Sequence, residues 1–422
     1  NRLTKIAVQQ APLATPSAAP TATFTAPLLE TGGTESGTIR KYVWQGAIAA
    51  WRSSVKTFLI GTGTETFAFA FFQYRPAGHN MTTEWDYLYN KAHNEYLNYL
   101  ATTGIFGLGS YLLFIGVLVR WFGKQHQCVN VSMRQRKNAD ASDAFDALTP
   151  ALFSGWLSIL VTNFFGFSVV IVQLFLFLFP AMSIALLSPG VQPLQWRIPT
   201  SLFRFISLAI LLVLLVLFAF LILLSRMWYA DTLFASGYRL ARVNQYAQAQ
   251  PLILDAIKLN AGEPLYHDEY STTLAALTAM AVDQKQATLA ASLAKQALTE
   301  SDTAIGISPK NVNFWKSRTK IFYSFSSFDP QFNPAAIQAL QRAWELSPND
   351  PKIIYNLAIL YGRQNDNVKA IELLQQSIAM KPNYRDAYFA LNIFYQEIKD
   401  TKKAREILQE YLQKVDPNDK DF

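Results

Sequence analysis

From Phe205 to Leu224 the chain runs for twenty residues without one charged side chain, FISLAILLVLLVLFAFLILL. Twenty helical residues rise about 30 Å, the thickness of the hydrocarbon core of a bilayer. An amphipathic helix of a water-soluble domain keeps a polar face, and this run has none. The chain is therefore expected to cross a membrane. Lipid offers no partner to free backbone groups, so the crossing segment must satisfy its own hydrogen bonds, as a helix does.

Three more spans are expected upstream. Gly104–Phe122, GIFGLGSYLLFIGVLVRWF, ends on Arg120 and Trp121, residues suited to an interface. Leu148–Leu187 is apolar but too long for one span, and Thr162, Asn163 and Gly166 break it. It reads as two spans, 150–165 and 166–187, joined by a tight outer turn. With 205–224 these make four spans within 104–225. Lys124, Arg134, Arg136 and Lys137 mark the loop after the first span as cytoplasmic, and Ser188–Arg204 returns to that side. Cys128, the only cysteine, then lies in a reducing compartment and forms no disulfide within the chain. Four crossings put the segment before Gly104 and everything after Arg226 on the extracytoplasmic face of a multi-pass protein of the plasma or inner membrane. Charged residues are only 16%, against about 25% in soluble proteins, and the deficit comes from these runs. The net charge of +7 is spread out. No basic block is interleaved with aromatics, so nucleic acid is not implied.

Residues 1–37 are rich in Ala, Pro, Thr, Ser and Gly without apolar period and read as a polar linker. The chain opens without Met or a signal peptide, so an upstream part is expected. Residues 38–103 form the extracytoplasmic loop. Val43, Ala47, Ile48 and Trp51 recur at helical spacing in Ile39–Trp51. Gly61 and Gly63 mark a turn whose backbone N–H groups can approach an anion, although a plain turn is the commoner explanation. Thr66–Phe72 suits a short helix at the membrane surface. Arg75, His79, Asn80, Glu84, Trp85 and Asp86 follow in a loop.

Tyr89–Leu100, YNKAHNEYLNYL, reads as a helix leading into the first span and carries His93, one of only four histidines. An imidazole at a membrane edge can serve as a general base near neutral pH. A lone helix histidine with no role is the plain alternative. His79 and His93 stand fourteen apart without an HExxH pattern, so neither a metal nor another cofactor is expected. A serine hydrolase has no G-x-S-x-G to support it. Glu84, Asp86 and Glu95 could serve glycoside hydrolysis, which calls for a soluble cleft. A lipid-linked diphosphate suits the loop better. Guanidinium binds phosphate oxygens in bidentate fashion, and Arg40 and Arg75 lie on the same side as His93. No nucleotide-binding motif is present, which suits a donor already activated as a diphosphate.

After Tyr229 the pattern changes to soluble amphipathic helices with an internal period. Leu357, Ala358, Tyr361, Ala370 and Leu374 recur 34 residues on as Leu391, Asn392, Tyr395, Ala404 and Leu408. Upstream, Trp315, Phe322, Ala336, Leu340 and Ala343 fit after a five-residue insertion. Tyr270, Leu274, Ala297 and Ala304 fit with a longer one, and Leu233, Gly237, Leu240, Ala249, Ile253 and Ala256 fit a first unit. Residues 230–417 thus resemble about five tetratricopeptide repeats. Such arrays imply a groove for a protein partner. His267 falls within a repeat and reads as packing or surface.

R-x-x-x-W at Arg40–Trp44, G-T-G-x-x-x-F at Gly61–Phe67, H-N-E-Y-L at His93–Leu97 and G-I-F-G-L at Gly104–Leu108 occur in that order. Together they resemble the O-antigen ligase and O-antigen polymerase family of bacterial membrane glycosyltransferases. The resemblance implies an all-α fold of polytopic membrane helices with an extracytoplasmic loop, here followed by an α-solenoid. It implies a glycan donor on undecaprenyl diphosphate, an acceptor hydroxyl on a glycan, lipid or protein, and metal-independent transfer with inversion. Carried over by motif, Arg40 binds the diphosphate and His93 is the base. Arg75 joins the clamp by its setting, Asn94 and Glu95 orient the imidazole, and Gly61 and Gly63 support the loop. The family's earlier spans are absent from this sequence, and without them the segment is expected to be inactive. A non-catalytic membrane scaffold displaying the repeats is the alternative of another class.

Overall fold

The computed structural model describes residues 36–135, 142–187 and 200–420, with side chains at 36–124, 148–186 and 205–420. The linker expected at 1–37 lies outside them except for Ser36 and Gly37, which open the first helix. The Ser188–Arg204 return lies largely outside as well. The described residues are all helix and connecting turns without a strand, as expected. They divide into two compact units, one over Gly32–Trp196 and one over Arg197–Phe422.

In the first unit a small helical loop domain caps three long helices. α1 (Ser36–Trp51), α2 (Val55–Ile60) and α3 (Phe67–Tyr74) lead through a 3-10 turn at Ala77–Met81 to α4 (Glu95–Gln135). The apolar stripe of α1 packs as its spacing predicts. Val43 and Ala47 are buried against Phe67, Phe71, Tyr89, Ala92 and Ala101. Trp51 stacks on Phe58 and donates from Nε1 to the Phe58 carbonyl. α2 opens with a reciprocal cap between Ser54 and Thr57. α3 was expected at the membrane surface, but its Phe67 and Phe71 instead fill this core.

α4 bends at Gly104, where φ is +66°. At the bend the Ala101 and Thr102 carbonyls accept the backbone N–H groups of Thr62 and Gly63, both at 2.9 Å. Two glycines permit this approach. A Cβ at Gly61 (φ +71°) would lie 2.1 Å from the Thr102 carbonyl carbon, and one at Gly104 would lie 2.4 Å from the Leu59 carbonyl. The G-T-G turn is thus a brace on the bend, and the two N–H groups that were candidates for an anion already have carbonyl partners.

α5 (Ser142–Phe165) and α6 (Val170–Leu187) follow. They form a hairpin through residues 166–169, close to the break expected at Thr162–Gly166. Trp156 of α5 is fully buried, and its Nε1 donates to the Leu176 carbonyl of α6 at 3.0 Å, which satisfies a polar atom that lipid would leave unpaired.

The second unit begins with α7 (Thr200–Arg242). All residues from Ser207 to Tyr229 are exposed, an apolar surface of the kind that a membrane or a packed partner covers. The helix then continues without a break into the repeats, where Ala230 is buried. Its end pairs with α8 (Tyr246–Leu259). Four further pairs follow: α9 (Pro264–Asp283) with α10 (Ala287–Ile307), α11 (Val312–Phe325) with α12 (Phe332–Leu346), α13 (Pro351–Arg363) with α14 (Asn367–Met380), and α15 (Arg385–Glu397) with α16 (Thr401–Lys414). In four pairs the chain turns on a left-handed residue, Asn244, Lys285, Asn365 or Lys399, with φ of 58–63°. The α11–α12 pair carries the insertion and has no such residue. The small positions behave as expected. Ala358 and Ala370 are fully buried, and Gly362 lies so close to Phe394 that a Cβ there would be 2.2 Å from its ring.

Candidate active site

His93 does not lie on a helix. It sits in the turn before α4 with φ +52°, a left-handed conformation uncommon for a residue with a side chain. Three side chains hold the turn. Asn94 is buried, and its Oδ1 accepts from the Leu97 N–H at 3.0 Å, capping α4. Tyr89 lies edge-on to the His93 ring at 5.6 Å, and Phe167, from the α5–α6 turn, lies edge-on at 5.5 Å. The imidazole is half-buried between two aromatic rings.

Burial lowers the His93 pKa below its ordinary value, so the ring is neutral at pH 7. Two charges act on it in opposite senses: the Glu84 carboxylate raises the pKa and the Arg40 guanidinium lowers it. Arg40 and His93, 53 residues apart in sequence, therefore lie within electrostatic reach of each other. Arg40 is half-buried and has no carboxylate partner among the described residues. A neutral base within electrostatic reach of a cation can take a proton while an anion is held.

Behind His93 runs a buried polar chain. Tyr89 Oη donates to Glu84 Oε2 at 2.6 Å, which leaves it to accept from His79 Nε2 at 3.3 Å. His79 is fully buried among Tyr42, Phe71 and Tyr89. Burial, and secondarily the Arg75 charge, push its pKa down to about 3. It is a neutral framework residue.

The other expected residues lie around this centre with different surroundings. Arg75 is 1% exposed, and its Nη1 donates to the Trp85 carbonyl at 2.7 Å, so its guanidinium lies inside the loop. Glu95 is buried in the first turn of α4, with its carboxyl near Lys91 and the Ser168 amide. Lys91 itself bonds Glu65 at 2.6 Å. Gly61 and Gly63 brace the α4 bend. Among the described residues no group of three His, Cys, Asp or Glu side chains is placed to hold a metal ion. His267, in the repeats, bonds Glu300 at 2.5 Å and the Ala261 carbonyl at 3.0 Å, a packing role as expected. Sequence reasoning missed Tyr89 and Phe167 as the walls of the imidazole. Phe167 is 74 residues from His93, and nothing local links them.

The described residues thus form a helical loop domain with long apolar helices, followed by a solenoid of paired helices. Residues 7–112 match the family described as O-antigen ligase, a stretch that contains Arg40, the G-T-G turn, His93 and Gly104. The match begins inside the segment expected to be a linker. No curated protein matches the chain. Among solved structures the chain is similar to the MamA protein, at 18% identity over 44% of this chain and 91% of that one, with a TM-score of 0.34. It is similar to MamA from Desulfovibrio magneticus RS-1 at 16% identity, over 45% and 97%, with a TM-score of 0.35. It is also similar to pilF of Pseudomonas aeruginosa at 16% identity, over 45% and 78%, with a TM-score of 0.34.

Proposed function

We propose that the first unit transfers a glycan from undecaprenyl diphosphate to an acceptor hydroxyl at the extracytoplasmic face of the membrane. The observation that carries this reading is the neutral imidazole of His93 within electrostatic reach of the Arg40 guanidinium. His93 takes the proton of the acceptor hydroxyl. The oxygen attacks the anomeric carbon, the carbon–oxygen bond to the diphosphate breaks, and the diphosphate leaves with its electron pair. Attack opposite the leaving group inverts the anomeric carbon. Arg40 holds the diphosphate oxygens and stabilises the charge that develops on them. Arg75, enclosed beneath Trp85, we assign to holding the loop. Asn94 orients the turn through its cap on α4, Glu95 anchors that turn against the α5–α6 loop, and Gly61 and Gly63 fix the bend on which it rests.

Four crossings at 104–122, 150–165, 166–187 and 205–224 would put the loop and the repeats on the same, outer face. The solenoid then offers its groove to a protein acceptor or assembly partner.

The test is glycan transfer by the full-length protein, including the spans expected upstream, in membranes supplied with a lipid-diphosphate-linked donor. His93→Ala is expected to lower the rate at least about 100-fold, the usual share of a general base, and Arg40→Ala to lower it comparably. Wild-type rates in both variants would reject the reading in favour of a scaffold. Such a scaffold would tolerate these changes but not the loss of packing at Leu357 or Leu391.

A further inference from the structure

Helices α7, α8, α9 and α11 of the solenoid line an open cavity of about 450 Å³ that the transfer reaction does not use. Its polar walls come from Tyr238 and Arg242 of α7, Asp268 and Glu269 of α9, and Asn313 and Lys320 of α11. Two of these groups are incomplete. Asp268 is 8% exposed; its Oδ2 accepts from Ser317 Oγ at 2.9 Å, while its Oδ1 has no partner. A buried acceptor left unpaired is unfavourable, so the position calls for a donor. Burial pushes the Asp268 pKa up to about 7 and lowers that of Lys320. The Lys320 ammonium has no carboxylate within 4.0 Å among the described residues. Arg242 and Glu269 face each other at 3.7 Å. Two acids and two bases leave the cavity with no formal net charge.

We propose that this cavity binds a short stretch of neutral saccharide. A sugar hydroxyl both donates and accepts, so an uncharged ligand can complete Asp268 Oδ1 and Lys320 together. Vicinal hydroxyls match planar groups with paired acceptor or donor atoms, and the cavity holds four such groups: two carboxylates, the Asn313 amide and the Arg242 guanidinium. The Arg242 guanidinium lies over the Tyr238 ring at 4.4 Å, which holds both in place. An extended peptide also carries donors and acceptors, but charged side chains on it would meet a cavity whose charges already cancel. All the residues involved lie in the repeat unit, so occupancy is separable from the chemistry at His93.

The experiment applies the full chain in lipid nanodiscs to an array of short neutral, amino and acidic oligosaccharides and, in parallel, to a random peptide array. A neutral oligosaccharide is expected to bind. Asp268→Ala and Lys320→Met should each weaken that binding about tenfold, equivalent to about 1.4 kcal/mol. The exposed Lys402→Ala of α16 should leave it unchanged. Lys320→Met keeps the packing of the side-chain stem and so guards against a folding defect in Asp268→Ala. Failure of every neutral oligosaccharide to bind, binding indifferent to both cavity variants, or capture of peptides with the same sensitivity would each overturn the proposal.

Discussion

His93 lies between two opposed charges. Burial alone would make it a weak base, the Glu84 carboxylate restores part of its basicity, and Arg40 opposes that. A protonated imidazole cannot accept a proton, so transfer should fall as pH drops through the His93 pKa, which lies below the ordinary 6.5. Glu84→Gln keeps an acceptor for Tyr89 Oη and removes the charge that raises that pKa. The acid limb of the kcat/KM profile should then move to lower pH, and the plateau rate should fall by about threefold to tenfold because the base is weaker. An acid limb at the same pH in both proteins would exclude Glu84 from this part. His93 was legible in the sequence as a candidate base, because the H-N-E-Y-L run stands beside an apolar run long enough to span. Glu84 was noticed only as a loose carboxylate. Its contact with the base runs through Tyr89 and the fold of an irregular loop, which no periodicity encodes.

At the level of elements, the G-T-G turn and the Gly104 bend form one device. Each glycine lies against the backbone of the other segment, and neither contact can relax by moving a flexible side chain. Gly61→Ala adds a left-handed penalty of about 1–3 kcal/mol to a clash with the Thr102 backbone. It should lower the Tm of the full chain in nanodiscs by roughly 4–8 °C and impair transfer by displacing the His93 turn. Gly116→Ala, on the same helix with open space around it, should leave Tm unchanged or slightly higher, since alanine favours the helix over glycine. Equal melting of the two variants would argue against the brace. Composition and turn chemistry identify each glycine as a breaker, but their pairing across about 40 residues is tertiary and invisible locally. The same limit explains His93: the polar period from Tyr89 reads as helix, whereas packing between Tyr89 and Phe167 holds the residue outside it. The repeats were far more legible. Each unit buries the same small and large positions, so Ala358 and Leu374 reappear as a period in the chain. The span boundary at 225 was less so, because α7 carries its helix through the change from lipid-facing to repeat residues.

For the whole molecule the decisive quantity is the number of crossings between the loop and the repeats. Among the described residues three helices are long and apolar enough to cross: Glu95–Lys124, Leu148–Phe165 and Phe205–Arg242. Val170–Leu186 is shorter and rises about 25 Å, a few ångströms below the hydrocarbon thickness. Such a mismatch costs only fractions of a kcal/mol per Å, and α6 returns along α5 with Trp156 bonded to it at Leu176. An apolar helix folded back along a spanning helix has no water-facing side to occupy, which favours its crossing. On the proposed count of four, the repeats would return to the side of the His93 loop. Single cysteines in a Cys128→Ser background can test this, at Thr64→Cys in the loop, Lys124→Cys after the first span and Gln296→Cys in the repeats. All three positions are exposed. An impermeant maleimide should label positions 64 and 296 in intact cells, and position 124 only after permeabilisation. If 296 instead behaves like 124, α6 does not cross, and the solenoid lies on the opposite face from the proposed transfer site. It could then not receive the acceptor from that site, and the groove would need a cytoplasmic partner.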